Sequence, residues 1–287
     1  MVDFVKLIDQ KYKDKVSIIV EPDTADEIEN DVDCRIYTGS MELLQEKADL
    51  LVTLGGDGTI LHASSQFASG DVPPVLSFSL GTLGFLLPFD IKDSETAFDS
   101  VYGSRAKVLN RVRLTCELEL HDKIKSKTVH AMNDLNIHRG QDPHLTMLDI
   151  EVNDQFVTQA IADGVIISTP TGSTAYSLSS GGSIVHPSVP CVLISPICPR
   201  SLSFRPLIFP ATAKISISMS PQSHGRPADI SIDGISRGVL NIGDKITVGT
   251  EVGQNKGIWC VARNDTDWVH NLNGLLGFNS LFGFKEH

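Results

Sequence analysis

The chain has 287 residues, of which 41% are hydrophobic, so it is long enough for two domains with ordinary apolar cores. Its formal net charge of −11 argues against general nucleic-acid binding, and no apolar run approaches the ~20 residues that span a bilayer. The five scattered cysteines include no Cys-x-x-Cys pair, which disfavours structural zinc and indicates reduced thiols in an intracellular compartment.

The first third of the chain alternates apolar runs with stretches typical of helices. We predict strands at 16–20, 50–54 and 75–78, and helices at 41–48, 59–68 and 94–101. Ser40 and Ser94 are the predicted caps of the first and last of these helices. Strands that alternate with helices predict a parallel, doubly wound sheet, with ligands at the carboxyl ends of its strands.

Three glycines surround one carboxylate directly after the predicted strand 50–54, in the run Gly55-Gly56-Asp57-Gly58. Glycine lets a ligand approach the main chain closely, and the amides at the start of the following helix favour phosphate. A carboxylate beside a phosphate site can accept a proton from an alcohol or hold Mg²⁺. The alternative is a glycine-rich turn in which Asp57 only caps the helix.

From residue 111 the chain takes the period of half-buried strands. Apolar residues alternate with polar ones at 111–120, 148–152, 215–219 and 230–232, and in the first of these runs Arg111 and Arg113 fall on the polar face. Asn153-Asp154 and Ile242-Gly243-Asp244 are predicted hairpin turns. We therefore predict an α/β domain at 1–105, a β-rich domain at 106–265 and a tail at 266–287.

A second informative segment follows the apolar strand 165–167, where hydroxyl residues and glycines are dense from Thr171 to Gly182. Such hydroxyls and free amides can bind phosphate or ribose oxygens without adding positive charge, and Tyr176 offers a flat face to a base or sugar. A flexible Ser/Gly linker is the alternative, but apolar residues and Tyr176 are threaded through this run.

Taken together, Gly55–Gly58, Asn133-Asp134 and Thr171–Tyr176 resemble the three motifs of the NAD kinase family in order and separation. Asp134 departs from the pattern, because most members have Glu there. The segments 198–206 and 275–280 are similar to those of the fungal mitochondrial NADH kinases within that family. The resemblance implies an N-terminal doubly wound α/β domain, a C-terminal all-β domain that is β-sandwich-like, and a tail that returns to pack on the first domain.

The implied activity is ATP-dependent phosphorylation of the 2′-hydroxyl of the adenosine ribose of NAD(H), with NADH preferred, producing NADPH or NADP. Asp57 is then the base toward that hydroxyl, and the amides of Gly56 and Gly58 are candidates for the triphosphate. We expect Mg²⁺ to enter with ATP and bridge phosphate oxygens, with no all-protein metal site.

The resemblance also implies dinucleotide-binding roles in the second domain, for Asn133, Asp134, Asp163, Thr171, Thr174, Ala175, Tyr176, Ser177 and Ser179. From the residue types alone, Asn133-Asp134 is equally an ordinary turn. His144 matches a binding histidine of some bacterial members, with an exposed loop histidine as the alternative. Phe85 is expected at the pocket wall, with a plain core aromatic as the alternative.

One departure bears on substrate choice. Many bacterial members have Arg two residues before the equivalent of Asp163, and here that position is Ile161. Loss of a cation near the nicotinamide would ease acceptance of the reduced, uncharged ring; the alternative is that this difference is unrelated to substrate choice. The hypothesis of NADH preference rests chiefly on the likeness to the fungal enzymes.

Two other functions share part of these features: a diacylglycerol or sphingoid-lipid kinase with the same Gly-Gly-Asp-Gly turn, and a non-catalytic dinucleotide sensor. The expected partners are NAD(H), ATP and further copies of the chain in a homo-dimer or homo-tetramer, with no nucleic acid and no membrane. Residues 1–15 contain three aspartates and no Arg, unlike a mitochondrial presequence. The resemblance favours a mature or trimmed protein of the mitochondrial matrix over a cytoplasmic one.

Overall fold

A computed structural model describes residues 1–67, 71–81, 84–120, 127–223, 226–251, 256–264 and 266–278. The chain divides into two compact units: Met1–Gln66, Pro73–Leu109 and Trp259–His287 form unit 1, and Phe67–Val72 and Asn110–Ile258 form unit 2. The predicted helix end at Ala68 and the tail from Asn279 onward lie outside the described residues.

The described helices are α1 Val2–Tyr12, α2 Pro22–Ile28, α3 Met41–Lys47, α4 Asp57–Ser65, α5 Ser94–Tyr102, α6 Tyr176–Ser179 and α7 Asp267–Leu276. The described strands are β1 Ile18–Ile19, β2 Ile36–Tyr37, β3 Leu51–Gly55, β4 Val75–Ser79, β5 Phe89–Asp90, β6 Lys107–Arg111, β7 Leu114–Glu119, β8 Lys127–Ala131, β9 Asp134–His138, β10 Thr146–Val152, β11 Gln155–Ala162, β12 Gly164–Ser168, β13 Cys191–Ile197, β14 Leu207–Pro210, β15 Ile215–Met219, β16 Ala228–Ile232, β17 Ile235–Leu240, β18 Lys245–Thr250 and β19 Ile258–Ala262.

Unit 1 has the predicted α/β architecture. Its main sheet has the order β3-β4-β19-β6, with β5 also paired to β4, and β3, β5 and β19 each run parallel to β4. Buried side chains of β4, such as Leu76 and Phe78, pack with Ile8 of α1 and Phe98 of α5. Strand β19 lies within the stretch 106–265 that was predicted for the second domain, but it pairs with β4 in the sheet of unit 1.

Of the two predicted helix caps in unit 1, one is confirmed by the structure and one is wrong. Ser40 caps α3 as predicted, because its hydroxyl accepts from the N–H of Leu43 at 3.5 Å. The prediction that Ser94 caps α5 is wrong. The Asp90 carboxylate accepts from the N–H of Lys92 at 2.9 Å and opens a single 3₁₀ turn at Ile91–Asp93, so Ser94 is already helical.

Two boundaries also differ from the prediction. Helix α4 begins at Asp57 rather than Thr59, because the carbonyl of Gly56 already accepts from the N–H of Thr59 at 2.9 Å. The predicted strand 16–20 is reduced to the two residues of β1, which pair in parallel only with β2.

Unit 2 has the predicted β-sandwich-like architecture. Within the described part of the chain, its two six-stranded sheets have the orders β11-β10-β15-β18-β7-β8 and β14-β13-β12-β9-β16-β17. One buried apolar cluster combines inward-facing residues of both sheets, including Ile150 and Ile217 from the first and Ile137, Val165 and Ile230 from the second. The apolar residues that alternate in the sequence therefore face inward from both sheets and form one shared core.

The hairpin prediction is correct at one turn and wrong at the other. Asn153 and Asp154 both adopt left-handed φ and join β10 to β11, with Val152 paired to Gln155. Ile242-Gly243-Asp244 is no hairpin, because β17 and β18 belong to different sheets. This turn carries the chain from one sheet to the other.

The placement of two arginines on a polar strand face is also wrong. Arg111 and Arg113 precede β7 and are 6% and 2% exposed. The guanidinium of Arg113 donates to the Glu251 carboxylate at 2.6 and 2.8 Å and to the carbonyl of Phe67 at 3.2 Å. A bidentate pair of this kind compensates for the burial of the charge. Among the described residues, no helix is long and apolar enough to cross a membrane.

Candidate functional site

The Asp57 side chain lies at the first residue of α4 and is held by a neighbouring loop of unit 1. Its Oδ2 accepts from the N–H of Phe85 and its Oδ1 from the N–H of Leu86, both at 3.1 Å. A β-carbon at Gly84 would overlap this carboxylate, so glycine is required for the close approach. These two hydrogen bonds fix the side chain, and each oxygen can still accept a further hydrogen bond.

Phe85 contributes its backbone N–H to this arrangement, and its half-buried side chain is consistent with the predicted wall position. The roles of Gly84 and of the Leu86 N–H were missed by sequence reasoning, because a contact across 28 or 29 residues leaves no local signal.

The three glycines around Asp57 have different explanations. Gly55 is required by packing, since a β-carbon there would overlap the Thr59 side chain. Gly56 and Gly58 have no left-handed φ. Apart from their chain neighbours and the backbone of the helix itself, no atom of the described residues lies within 4 Å of a β-carbon built on either one. The described part of the protein thus leaves room above both backbones, as a phosphate-binding turn requires.

In unit 2, Asn133 and Asp134 lie where β8 ends and β9 begins, at a step from one sheet to the other. The N–H of Thr169 donates to the carbonyl of Asn133 at 2.9 Å. A β-carbon at Gly172 would overlap that same carbonyl, so glycine at this position allows the Thr-Gly-Ser-Thr run to pack directly against the Asn133-Asp134 turn. The structure therefore brings two of the predicted segments together.

The Asp134 carboxyl group is 7% exposed, and burial, reinforced by the nearby Asp233 carboxylate, raises its pKa to about 7. A carboxyl group held near neutrality in a binding site is a feature typical of functional positions. Sequence reasoning placed Asp134 in the site but missed Asp233, which is distant in the chain.

The hydroxyl-rich run forms a 3₁₀ turn at Thr171–Thr174 followed by α6. Thr174 donates to the carbonyl of Thr171 at 3.2 Å, and Ser179 donates to that of Tyr176 at 3.0 Å. Ala175 joins the two turns, and the 39% exposed side chain of Tyr176 faces outward from them. Partial burial and the acidic groups of Cys198, Asp163 and Asp134 raise the pKa of Tyr176, which places its phenol in the same neighbourhood.

Two predicted binding side chains are turned into the protein. The Ser177 hydroxyl is fully buried and shares a hydrogen bond of 2.8 Å with Ser195. The Thr171 hydroxyl is also buried and accepts from the Arg111 guanidinium at 3.3 Å. We therefore propose that these two hydroxyls support the loop instead of contacting a ligand directly.

Asp163 is paired with a cation that sequence reasoning missed. Its Oδ1 lies 2.6 Å from Nε of Arg139, which follows β9, because β9 and β12 pair with His138 opposite Gly164. Arg139 also donates to the carbonyl of Asp142, whose Oδ1 lies 3.2 Å from Nδ1 of the exposed His144. Asp163 therefore has a neighbouring cation although position 161 is Ile.

Within the described residues, no group of three or more His, Cys, Asp or Glu side chains is arranged to hold a metal ion. All five cysteines are free thiols.

Comparison with known protein families identifies the family of this chain. The model described as the ATP-NAD kinase N-terminal domain matches residues 7–106, and that of the ATP-NAD kinase C-terminal domain matches residues 132–258. The chain belongs to the ATP-NAD kinase family.

Within that family the chain is similar to fungal enzymes over nearly its whole length. It is 46% identical to the mitochondrial NADH kinase POS5 of Saccharomyces cerevisiae, over 98% of this chain and 77% of that protein. It is 50% identical to the mitochondrial NADH kinase pos5 of Schizosaccharomyces pombe, over 98% of this chain and 71% of that protein.

Solved structures agree with this placement. The crystal structure of yeast NADH kinase complexed with NADH matches with a TM-score of 0.92 at 49% identity, over 100% of this chain and 85% of the other. An NAD kinase from Archaeoglobus fulgidus in complex with ATP matches with a TM-score of 0.68 at 20% identity, over 90% of this chain and 98% of the other, and so shares the fold.

Proposed function

We propose that this protein is an NADH kinase, which transfers the γ-phosphoryl group of ATP to the 2′-hydroxyl of the adenosine ribose of NADH and releases NADPH and ADP. NAD⁺ is the poorer acceptor. The observation that carries this proposal is the Asp57 carboxylate. Two backbone N–H groups fix it beside Gly56 and Gly58, whose backbones the described residues leave uncovered. The similarity to the two fungal NADH kinases supports the choice of acceptor.

In the proposed reaction the Asp57 carboxylate accepts the proton of the ribose 2′-hydroxyl. The freed oxygen attacks the γ-phosphorus in line, and the bond to the β-phosphate oxygen breaks, so ADP leaves with the electron pair. The backbone N–H groups of Gly56 and Gly58 bind triphosphate oxygens. The Mg²⁺ bound with ATP supplies further charge neutralisation on those oxygens.

The residues proposed to bind the dinucleotide lie in unit 2. Asn133 and Asp134 hydrogen-bond the ribose hydroxyls, and the outward-facing Tyr176 stacks on a ring of the substrate. Thr174, Ala175 and Ser179 complete the cradle around it. Asp163, neutralised by Arg139, and the exposed His144 belong to its periphery.

A coupled assay for NADPH formation tests the base. Replacement Asp57→Asn keeps the size and shape of the side chain but removes the proton acceptor, and its amide N–H₂ can no longer accept one of the two backbone N–H groups. We therefore expect kcat to fall by about 10²-fold or more. Asp90→Asn is the matched control, since Asp90 also accepts a backbone N–H at a helix start of unit 1. An Asp57→Asn variant with the wild-type rate rejects the assignment.

Acceptor choice is tested by comparing kcat/KM for NADH and NAD⁺ with the same preparation, together with diacylglycerol and sphingosine as acceptors. The proposal requires the highest value for NADH and no lipid phosphorylation. Equal values for the two dinucleotides, or a higher one for NAD⁺, contradict the stated preference. Binding of NADH without turnover would instead support a dinucleotide sensor.

We further propose that the protein acts in mitochondria and as a homo-dimer or homo-tetramer. Both fungal relatives are mitochondrial NADH kinases, which supports the first part. Cell fractionation tests the location, and light scattering of the purified protein tests the assembly.

A further inference from the structure

The turn of the β16–β17 hairpin carries a side chain that sequence reasoning left without a role. Asp233 and Gly234 form this two-residue turn, and both have left-handed φ, 47° and 77°. Asp233 is partly buried, and its carboxylate accepts three backbone N–H groups: Met132 at 2.7 Å, Asn133 at 2.8 Å and Asp134 at 3.0 Å. The N–H of Asp233 in return donates to the carbonyl of Asp134 at 3.0 Å.

The opposite side of the same three-residue turn is held by Thr169. Its hydroxyl donates to the carbonyl of Met132 at 2.6 Å, and its N–H donates to that of Asn133. The same hydroxyl accepts from the N–H of Gly172 at 3.0 Å. Every backbone N–H and carbonyl group from Met132 to Asp134 therefore bonds to Asp233 or Thr169.

We propose that Asp233 is a positioning residue for the dinucleotide site. Its carboxylate fixes the backbone of Asn133 and Asp134 by hydrogen bonds. Thr169 bonds both to this backbone and to the N–H of Gly172, so it couples the position of the backbone to that of the Thr171–Thr174 turn. This inference rests on the proposed function of Asn133 and Asp134. Only a carboxylate fits the role, because an amide at this position would turn an N–H₂ group toward backbone N–H donors.

The electrostatics agree with this geometry. Burial raises the pKa of Asp233, while its three N–H donors and Arg237 favour the charged form. Its negative charge faces Cys116 on β7 as well as Asp134, and the Asp134 carboxyl in turn lies near Tyr176. Asp233 therefore influences both the position and the ionisation of Asp134.

The test compares Asp233→Asn with Asp244→Asn in the full-length protein. Asp244 serves as the control, because it also lies in unit 2, accepts a turn N–H from Asn241 at 2.7 Å, and is more deeply buried than Asp233. Asp233→Asn is expected to raise the Kd and KM for NADH by about tenfold or more, while KM for ATP stays within about twofold. Asp244→Asn is expected to change neither by more than about twofold.

The pH dependence separates positioning from general damage. In the wild type, NADH affinity is expected to fall as the pH drops below about 7 and Asp134 takes up a proton. In Asp233→Asn the neighbouring like charge is gone, so this fall moves to lower pH. A wild-type Kd for NADH in Asp233→Asn, or a weakened affinity with an unmoved pH dependence, overturns the proposal.

A second pair of variants applies if Asp233→Asn does not fold. Thr169→Ser keeps the hydroxyl and Thr169→Val keeps the shape, so the valine variant is expected to bind NADH about tenfold more weakly than the serine variant. Equal affinities of the two overturn the proposal.

The same measurements distinguish this inference from the proposed function. A wild type that binds NADH but forms no NADPH rejects the kinase activity and leaves the positioning role to be decided by the variants. A wild type that does not bind NADH rejects both.

Discussion

At the scale of single residues, the approach of Gly84 to Asp57 makes the carboxylate sensitive to one methyl group. Gly84→Ala is expected to push the Asp57 side chain off the N–H groups of Phe85 and Leu86, because the added carbon would overlap it. The coupled assay should show kcat lowered by about tenfold or more, since small misplacements of a reacting group have large effects. Gly81→Ala is the control, because a β-carbon there meets no atom of the described residues within 4 Å. Equal losses in both variants would contradict the explanation.

Asp134 links function to stability. Its pKa rises from 3.8 toward about 7 on folding, so the folded state binds the proton more tightly than the unfolded state. The stability that this proton confers is complete below about pH 4 and is lost as the pH rises to about 7, which amounts to a few kcal/mol at most.

We therefore expect Asp134→Asn to raise Tm at pH 8 more than at pH 5, while it weakens NADH binding. Thermal unfolding followed by circular dichroism at the two pH values measures this. Asp149→Asn, on strand β10 in the other sheet of unit 2, is the control. A Tm difference that does not change with pH would refute the assigned cause.

At the scale of elements, the two hairpin turns with left-handed residues should respond in opposite directions. Gly234→Ala is expected to destabilise by about 1 kcal/mol, because alanine disfavours a φ of 77° and no described atom crowds the added carbon. Asp154→Gly should stabilise by a few tenths of a kcal/mol, because glycine relieves the φ of 62° and the exposed Asp154–Lys214 pair contributes little. Urea unfolding of both variants measures the difference, and shifts of the same sign would be evidence against this argument.

The elements also show which parts of the fold a sequence can reveal. Turn chemistry is local, so Asn153-Asp154 was predictable as a hairpin, as were the Ser40 cap and the alternating strands. Ile242–Asp244 has the same local signature, but the sheet that each flanking strand joins depends on distant partners. For the same reason Arg139 beside Asp163, Asp233 beneath Asn133 and the backbone donors to Asp57 were not predictable from spacing.

At the scale of the molecule, a buried ion pair ties separate parts of unit 2 together. Arg113 joins Glu251 and the carbonyl of Phe67, and the two charged side chains are 3% and 9% exposed. Glu251→Gln leaves the guanidinium charge buried without its counter-ion, so the free energy of unfolding is expected to fall by about 3–5 kcal/mol. Glu119→Gln, at an exposed position of β7, should change it by less than about 0.5 kcal/mol. Chemical denaturation of both variants decides this, and similar small changes would contradict it.

The return of β19 to the sheet of unit 1 has a consequence for biosynthesis. A ribosome delivers the chain from its N-terminus, and domains generally fold as their residues emerge. The sheet of unit 1 lacks the strand between β4 and β6 until residues 258–262 have been made, whereas unit 2 needs nothing beyond residue 258. The portion translated first is therefore the one completed last, and a nascent chain arrested before residue 258 should expose the flank of β4 to proteases and chaperones.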